Sequence, residues 1–479
     1  MAAGFEVESS ARRFRNELQA HMGTTDIVEQ APGAEDNAAD IARKQELAST
    51  ALGEAQRLGA SSAEVAVSSS SGLSVNVRMG EVETIEHNRD KALGITVFFG
   101  HKKGSASTTD FSSKSVQECV AAACGIARHT SEDPYAGLAD ASLMATDIPD
   151  LDLHHPWNIS PETAIGLALE TEAAARALDT RVVNSEGASV NRVQGVQVYA
   201  NSHGFNAGYP SSRHSISCTV IAADDGGMQR DYWYSVSRDP ERLEKAGDVG
   251  RRAAERSLAR LGARRISTRT VPVLFAAQIA TGLLGHFVNA IRGGNLYRKA
   301  SFLVDALGRS VFPRHVRIHE QPLLPGAVGS AAYDSEGVAT RERDLISEGV
   351  LQGYVLSSYS ARKLGMQTTA NAGGVHNLTA EPSPGEAGLE ELLAAMGSGL
   401  FVTELMGMGV NTVTGDYSRG AAGYWVESGV IQHPVEEITI AGNLRDMFLG
   451  IQAIGADQDR RGNLRTGSVL IDSMTVAGT

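Results

Sequence analysis

Between residues 63 and 109, apolar and polar side chains alternate through AEVAVS, LSVNVRMGEVETIEHNR and KALGITVFFGHKKGSAST, with glycines between the runs. A period of two puts successive side chains on opposite faces of a strand, so these runs predict an antiparallel meander. The stretch before them has a different period. Ala51, Leu52, Ala55 and Leu58 recur at helical spacing and Gly59 is a natural stop, so a helix is predicted over about 41–59. The polar, irregular residues 1–40, with APGAEDNAAD at 31–40, read as a flexible lead-in.

The pattern then repeats in outline and suggests a second layer of the same kind. A helix is predicted at 114–130, another opens at Ser160-Pro161-Glu162, strands follow at 181–222 and 229–237, and a helix spans about 239–261. GARRISTRT at 262–270 reads as a linker, and VPVLFAA begins a unit denser in glycine. RGGNLYRK, YDSEGV, TTANAGGVHN, ELMGMGVNTVTGDYSRGAAGYWVESG and TIAGNLRDM punctuate it with turns and sites of close backbone approach. The fold class predicted is α+β: a strand-and-helix domain over 41–265, and a domain over 266–479 dominated by a curved antiparallel sheet or open barrel.

Composition narrows the function. A chain of 479 residues, 42% hydrophobic and 21% charged, can bury a substantial core. Lys and Arg number 43 against 56 Asp and Glu, a formal charge of −13 with no long basic run, which disfavours a nucleic-acid partner. Cys119, Cys124 and Cys218 include no CxxC pair, so neither a disulfide framework nor a thiolate zinc site is indicated. No apolar run is long enough to span a bilayer, and the N-terminus carries charge where a signal peptide needs an apolar core. A cytoplasmic protein with no membrane partner is expected.

Local chemistry is sparse. TGLLGHFVNAIRGG at 281–294 predicts an apolar helix holding one histidine and ended by a glycine pair. A zinc-peptidase helix needs two imidazoles on one ion and a carboxylate to take a proton from the bound water. His286 is the segment's sole candidate ligand, and the positions four and five further on are Ala290 and Ile291. Ser360 and Lys363 match S-x-x-K without its companion elements, so SARK reads as a helix with a basic end. His315 and His319, before Glu320, lie in an alternating stretch where a strand would part the rings by roughly 13 Å. His154 and His155 read as a solvated loop. Asp416 and Arg419, in TGDYSRG, could orient a substrate or tie a turn. The glycines at 407 and 409 lack the third of a dinucleotide fingerprint, and there is no Walker loop.

Taken together, RMGEVETIEHNRDKALGITVFFGHKKGSAST, GGNLYRKASFLVDALG, YDSEGV, SYSARKLG, NAGGVHN, TELMGMGVNTVTGDYSRGAAGYWVESG, ITIAGNLRDM and VLIDSMTVAGT closely resemble the PmbA/TldE branch of the TldD/PmbA family, in order from about residue 43 to the C-terminus. The resemblance implies a subunit of a heterodimeric peptidase. In the TldD-type partner, a HExxxH motif and a later cysteine bind zinc, and the motif's glutamate is the general base. Laid on this chain, the motif falls on Gly285-His286-Phe287-Val288-Asn289-Ala290, with Gly285 and Ala290 at the ligand positions and His286 at the glutamate's. No cysteine follows Cys218; the matching late segment reads GADQDRRGNLRTG. The resemblance therefore implies no metal or catalytic residue here, and zinc in a TldD-type paralogous subunit.

It further implies that the two subunits enclose a chamber. Unfolded or leader peptides are then held in extended form as an added strand, through backbone hydrogen bonds that suit broad specificity. Candidate peptide or partner contacts are Arg292, Gly293, Gly294 and Tyr297 after the vestigial helix, with Gly409, Asp416, Tyr417, Ser418 and Arg419 further on. Two other readings remain open. One is a homodimeric peptide-binding or scaffold protein without hydrolytic activity. The other is a metallohydrolase with relocated ligands among His286, His376, His433 and Glu404.

Overall fold

The two meanders form one sheet, not two layers. In the computed structural model, which describes residues 34–385 and 387–478, strands β1 (Ser62–Arg78), β2 (Glu81–Phe99) and β3 (Lys102–Thr108) form the first run, and β4 (Val182–Asn201), β5 (Asn206–Asp224) and β6 (Gly227–Ser237) the second. β1 pairs with β4 as well as β2, giving an antiparallel half-barrel ordered β3-β2-β1-β4-β5-β6. Joining the runs through β1 and β4 pairs two of the four edges that two separate layers would expose.

Alternation decides which face is covered. Val65, Val67, Leu73, Val75 and Val77 of β1 are buried, while Ser68, Ser70, Ser74 and Asn76 lie on the opposite face. That face carries short polar cross-strand pairs, Ser74 donating to Asn191 and Ser189 to Asn76. Helices α1 (Ala34–Arg57) and α2 (Ser113–His129) cover one end of the apolar face. Helices α3 (Pro161–Arg176) and α4 (Ala246–Ala259) cover the other.

The helix signals act as their chemistry requires. Ser160 caps α3 by accepting from Thr163 N, and Pro161 occupies the first turn, where no amide donor is needed. α1 starts earlier than expected, within the segment read as a flexible lead-in. Its residues 34–40 are helical, tied by Asn37 to His154 and by Lys44 to Asp40. Residues 1–33 of that lead-in lie outside the described residues.

The second half is built around a closed ring. β7 (Arg269–Phe275), β12 (Gly399–Met406), β13 (Asp416–Glu427), β14 (Val430–Asn443) and β17 (Val469–Ala477) pair in turn, and β14 returns to β17. The β7–β12 pair is parallel and the others antiparallel. β15 (Ile451–Ile454) adds to β17. A smaller sheet joins β8 (Ile318–Glu320), β9 (Arg343–Ser347), β10 (Val350–Leu351), β11 (Leu378–Ala380) and β16 (Leu464–Arg465). The helices of this half are α5 (Ala277–Ala290), α6 (Gly293–Tyr297), α7 (Ser358–Lys363), α8 (Leu389–Met396) and α9 (Leu444–Leu449). The α+β class and barrel-bearing C-terminal half agree with the sequence expectation. Among the described residues no helix is long and apolar enough to cross a membrane.

Candidate functional site

α5 is the helix on which the zinc motif would fall, and its ends differ from the sequence expectation. It stops at Ala290, and the glycine pair opens α6 instead of ending α5. Gly293 is buried and its amide donates to Val355 O; a Cβ there would lie 2.4 Å from Ser360 Oγ and 2.8 Å from Leu356 Cδ2. The glycine is therefore required by close packing of α6 on α7. Ser360 belongs to that packing and to the capping box it shares with Ser357, while Lys363 lies over the Tyr135 and Tyr359 rings.

The metal position does not fit a metal. Ala290 is fully buried in the apolar core. A Cβ on Gly285 would sit 3.7 Å from Leu464 Cδ1, so a side chain leaving the helix there would begin in ordinary contact with leucine. Leu464 belongs to GADQDRRGNLRTG, so the helix and the late segment do meet, but through an apolar contact. His286 is half-buried, and its ring meets Tyr417 edge-on with centroids 5.9 Å apart. Burial, and then the charge of Arg419, lower its pKa and keep the imidazole neutral.

The other candidate ligands point elsewhere. Glu404 pairs with Arg260, His376 Nε2 lies 3.3 Å from Ala370 O, and His433 Nδ1 lies 3.1 Å from Pro434 O. His319 is 2.7 Å from Asp344, whereas His315 sits in a turn before β8. Glu320 is buried and accepts from Arg343, Asn371 and His376 N, a structural role. Among the described residues no three His, Cys, Asp or Glu side chains gather where they could hold a metal ion.

The proposed contact residues fall into two groups. Arg292 is exposed, Gly294 is half-buried, and Tyr297 meets Tyr359 edge-on at 6.1 Å. In the second group, Ser418 N donates to Gly409 O and Asn411 N to Asp416 O, closing the β12–β13 connection. Asp416 and Ser418 are exposed, but Asp416 accepts from Thr414 and Asn443 and so ties the turn. Tyr417 and Arg419 face the other way, toward His286.

A polar chain that sequence reading missed links the two groups. Asn295 Nδ2 donates to Asn289 O at 2.7 Å, Asn289 Nδ2 donates to Thr412 Oγ1 at 2.9 Å, and Thr412 O accepts from Phe302 N. The available signal was an asparagine near the end of an apolar helix, where an amide needs partners. Met406, Met408 and Val413 stand exposed on the same connection, Met408 at 92%.

The comparisons give this arrangement a family. The PmbA/TldA metallopeptidase domain 1 matches residues 63–127, the central domain 154–261 and the C-terminal domain 268–478. The chain belongs to the PmbA/TldD metallopeptidase family. It is 52% identical over 416 residues to metalloprotease PmbA of Escherichia coli O157:H7, covering 87% of this chain and 92% of that protein. A Bacteroides thetaiotaomicron structure described as a candidate modulator of DNA gyrase superposes with TM-score 0.86 at 27% identity, covering 91% of this chain and 99% of that one. TldE from Thermococcus kodakarensis shares the fold, with TM-score 0.76 at 18% identity over 90% of this chain and all of that one (100%).

Proposed function

We propose that this chain is the non-catalytic subunit of a TldD/TldE-type heterodimeric zinc metallopeptidase that degrades or processes unfolded peptides. The observation that carries the reading is the meeting of α5 with β16. The two segments that would supply a metal's ligands lie against each other, and they do so through Gly285 and Leu464, with a buried Ala290 one turn on. Zinc catalysis requires ligands, a base and an open coordination position together. None of the three side chains can donate a lone pair, and His286 stands alone. Zinc and hydrolysis then belong to a TldD-type paralogue. This chain contributes a chamber wall and contacts around Arg292, Tyr297 and the β12–β13 connection.

The test is zinc content and cleavage of an unstructured peptide, measured on this chain alone and after mixing with a HExxxH-bearing paralogue from the same genome. Zinc and cleavage in the mixture only, both abolished by mutating the paralogue's histidines, is the expected result. One zinc per chain with cleavage by this chain alone would overturn the assignment. A stable homodimer that binds peptide and gains no activity on mixing would favour the scaffold reading instead.

A further inference from the structure

β13 alternates, so Tyr417, Arg419 and Ala421 share one face. Tyr417 and Ala421 lie in the main hydrophobic core, which means Arg419 is turned inward beside them. Arginine is rarely placed so without a partner. Other inward-turned arginines of this chain have one: Arg343 pairs with Glu320, Arg461 with Asp459, and Arg260 with Glu404. Arg238 and Arg362 donate to backbone carbonyls. Arg192 and Arg465, each with an unpartnered Nε, still reach Trp157 O and Asn377 Oδ1 through another nitrogen.

Arg419 has no carboxylate or carbonyl acceptor among the described residues. Its Nε is buried without a hydrogen-bond partner, and so is the hydroxyl of Tyr417, a residue only 2% exposed. The Arg419 guanidinium lies beside that hydroxyl, near enough to oppose the larger effect of burial on its pKa, but neither Arg419 Nε nor the hydroxyl is held in a well-formed hydrogen bond. His286 packs edge-on against Tyr417, and its ring nitrogens make no hydrogen bond among the described residues. The nearby carboxylate, Asp416, points to the opposite face and is held by Thr414 and Asn443. His286 and Arg419 are both partly exposed, so solvent reaches the cluster.

We infer that His286, Tyr417 and Arg419 form a carboxylate-binding site at the seam of α5 and β13, taking the C-terminal carboxylate of a peptide. A guanidinium offers parallel N–H donors that match the two oxygens of a carboxylate, and the phenol O–H and a neutral imidazole N–H add further donors. One formal positive charge with neutral donors suits a monoanion better than a phosphate dianion. Occupation would satisfy the buried donors that the free chain leaves open. That the carboxylate is a peptide's rests on the peptidase-subunit reading; the anion chemistry rests on the cluster alone.

Calorimetric titration of this chain, without any paralogue, tests it with N-acetyl-triglycine, its C-terminal amide, and inorganic phosphate. The acid is expected to bind at least tenfold more tightly than the amide or phosphate, with that preference abolished in Arg419→Gln. Tyr417→Phe keeps the ring contact and removes the hydroxyl. It should weaken acid binding severalfold while leaving the thermal midpoint of the unliganded chain unchanged or higher, because the deleted group has no partner. Equal binding of acid and amide, no binding of the acid, or a tight acid complex in Arg419→Gln would overturn the site; tighter phosphate binding would overturn the peptide assignment. A marked fall in the Tyr417→Phe midpoint would show an internal partner for the hydroxyl and also count against it. Zinc content and hydrolysis in the mixed sample report separately on the subunit reading.

Discussion

Asp334 shows how burial changes what a residue in a readable motif does. In YDSEGV, an aspartate that accepts from amides two and four positions on is ordinary turn chemistry, and Asp334 Oδ1 accepts from Glu336 N and Val338 N. Its other oxygen accepts from Ala372 N, and the side chain is 3% exposed. Burial outweighs those bonds and raises its pKa from 3.8 to about 6. The folded chain thus holds this proton more tightly than the unfolded chain does. The group stabilises most below about pH 4, and that contribution is lost as pH rises through about 6. Urea unfolding should show Asp334→Asn costing more at pH 4.5 than at pH 7.5, by about 2 kcal/mol at roughly 1.4 kcal/mol per pKa unit, because the unfolded carboxyl is already largely ionised at pH 4.5. Equal costs at both values would remove the buried titration. At this scale the sequence revealed the missing partner of His286, because ligand chemistry depends on residue type. It did not reveal that Arg419 lacks a counter-ion among the described residues, because pairing depends on what lies across a fold.

Elements were legible where their signals are local. Ser160-Pro161 starts α3, the period-two runs become β1 to β6, and SARK becomes a helix. The glycine pair after α5 misled, since a glycine reads as a helix stop in sequence but at Gly293 serves the approach of α6 to Ser360 and Leu356. Gly293→Ala should lower unfolding free energy by about 1–3 kcal/mol, the usual cost of overpacking. A variant of unchanged stability that loses peptide binding would instead make Gly293 a contact residue. Strand boundaries came close because alternation is a property of neighbouring residues. Strand partners did not, because β1 has the same pattern whether or not β4 lies beside it.

For the whole molecule, the late segment that carries Leu464 is fixed from the other half of the chain. The Arg461 guanidinium lies 4.3 Å from the Trp233 ring centre and 4.2 Å from that of Tyr234, and donates to Tyr234 O and Asp459. Arg461→Ala should cost about 1–3 kcal/mol through lost stacking and hydrogen bonds. It should also speed amide hydrogen exchange across 455–467; unchanged exchange there would mean that the clasp does not hold the segment. Composition, alternation and caps determined the α+β class, most elements and the lone histidine of the 281–294 helix, since each follows from residue type and short-range spacing. Only the tertiary structure decided that two meanders make one sheet, that five strands close a ring, that Leu464 faces Gly285, and that Arg419 lies beside Tyr417 with no counter-ion among the described residues. Those facts depend on contacts between residues far apart in sequence, which no local pattern encodes.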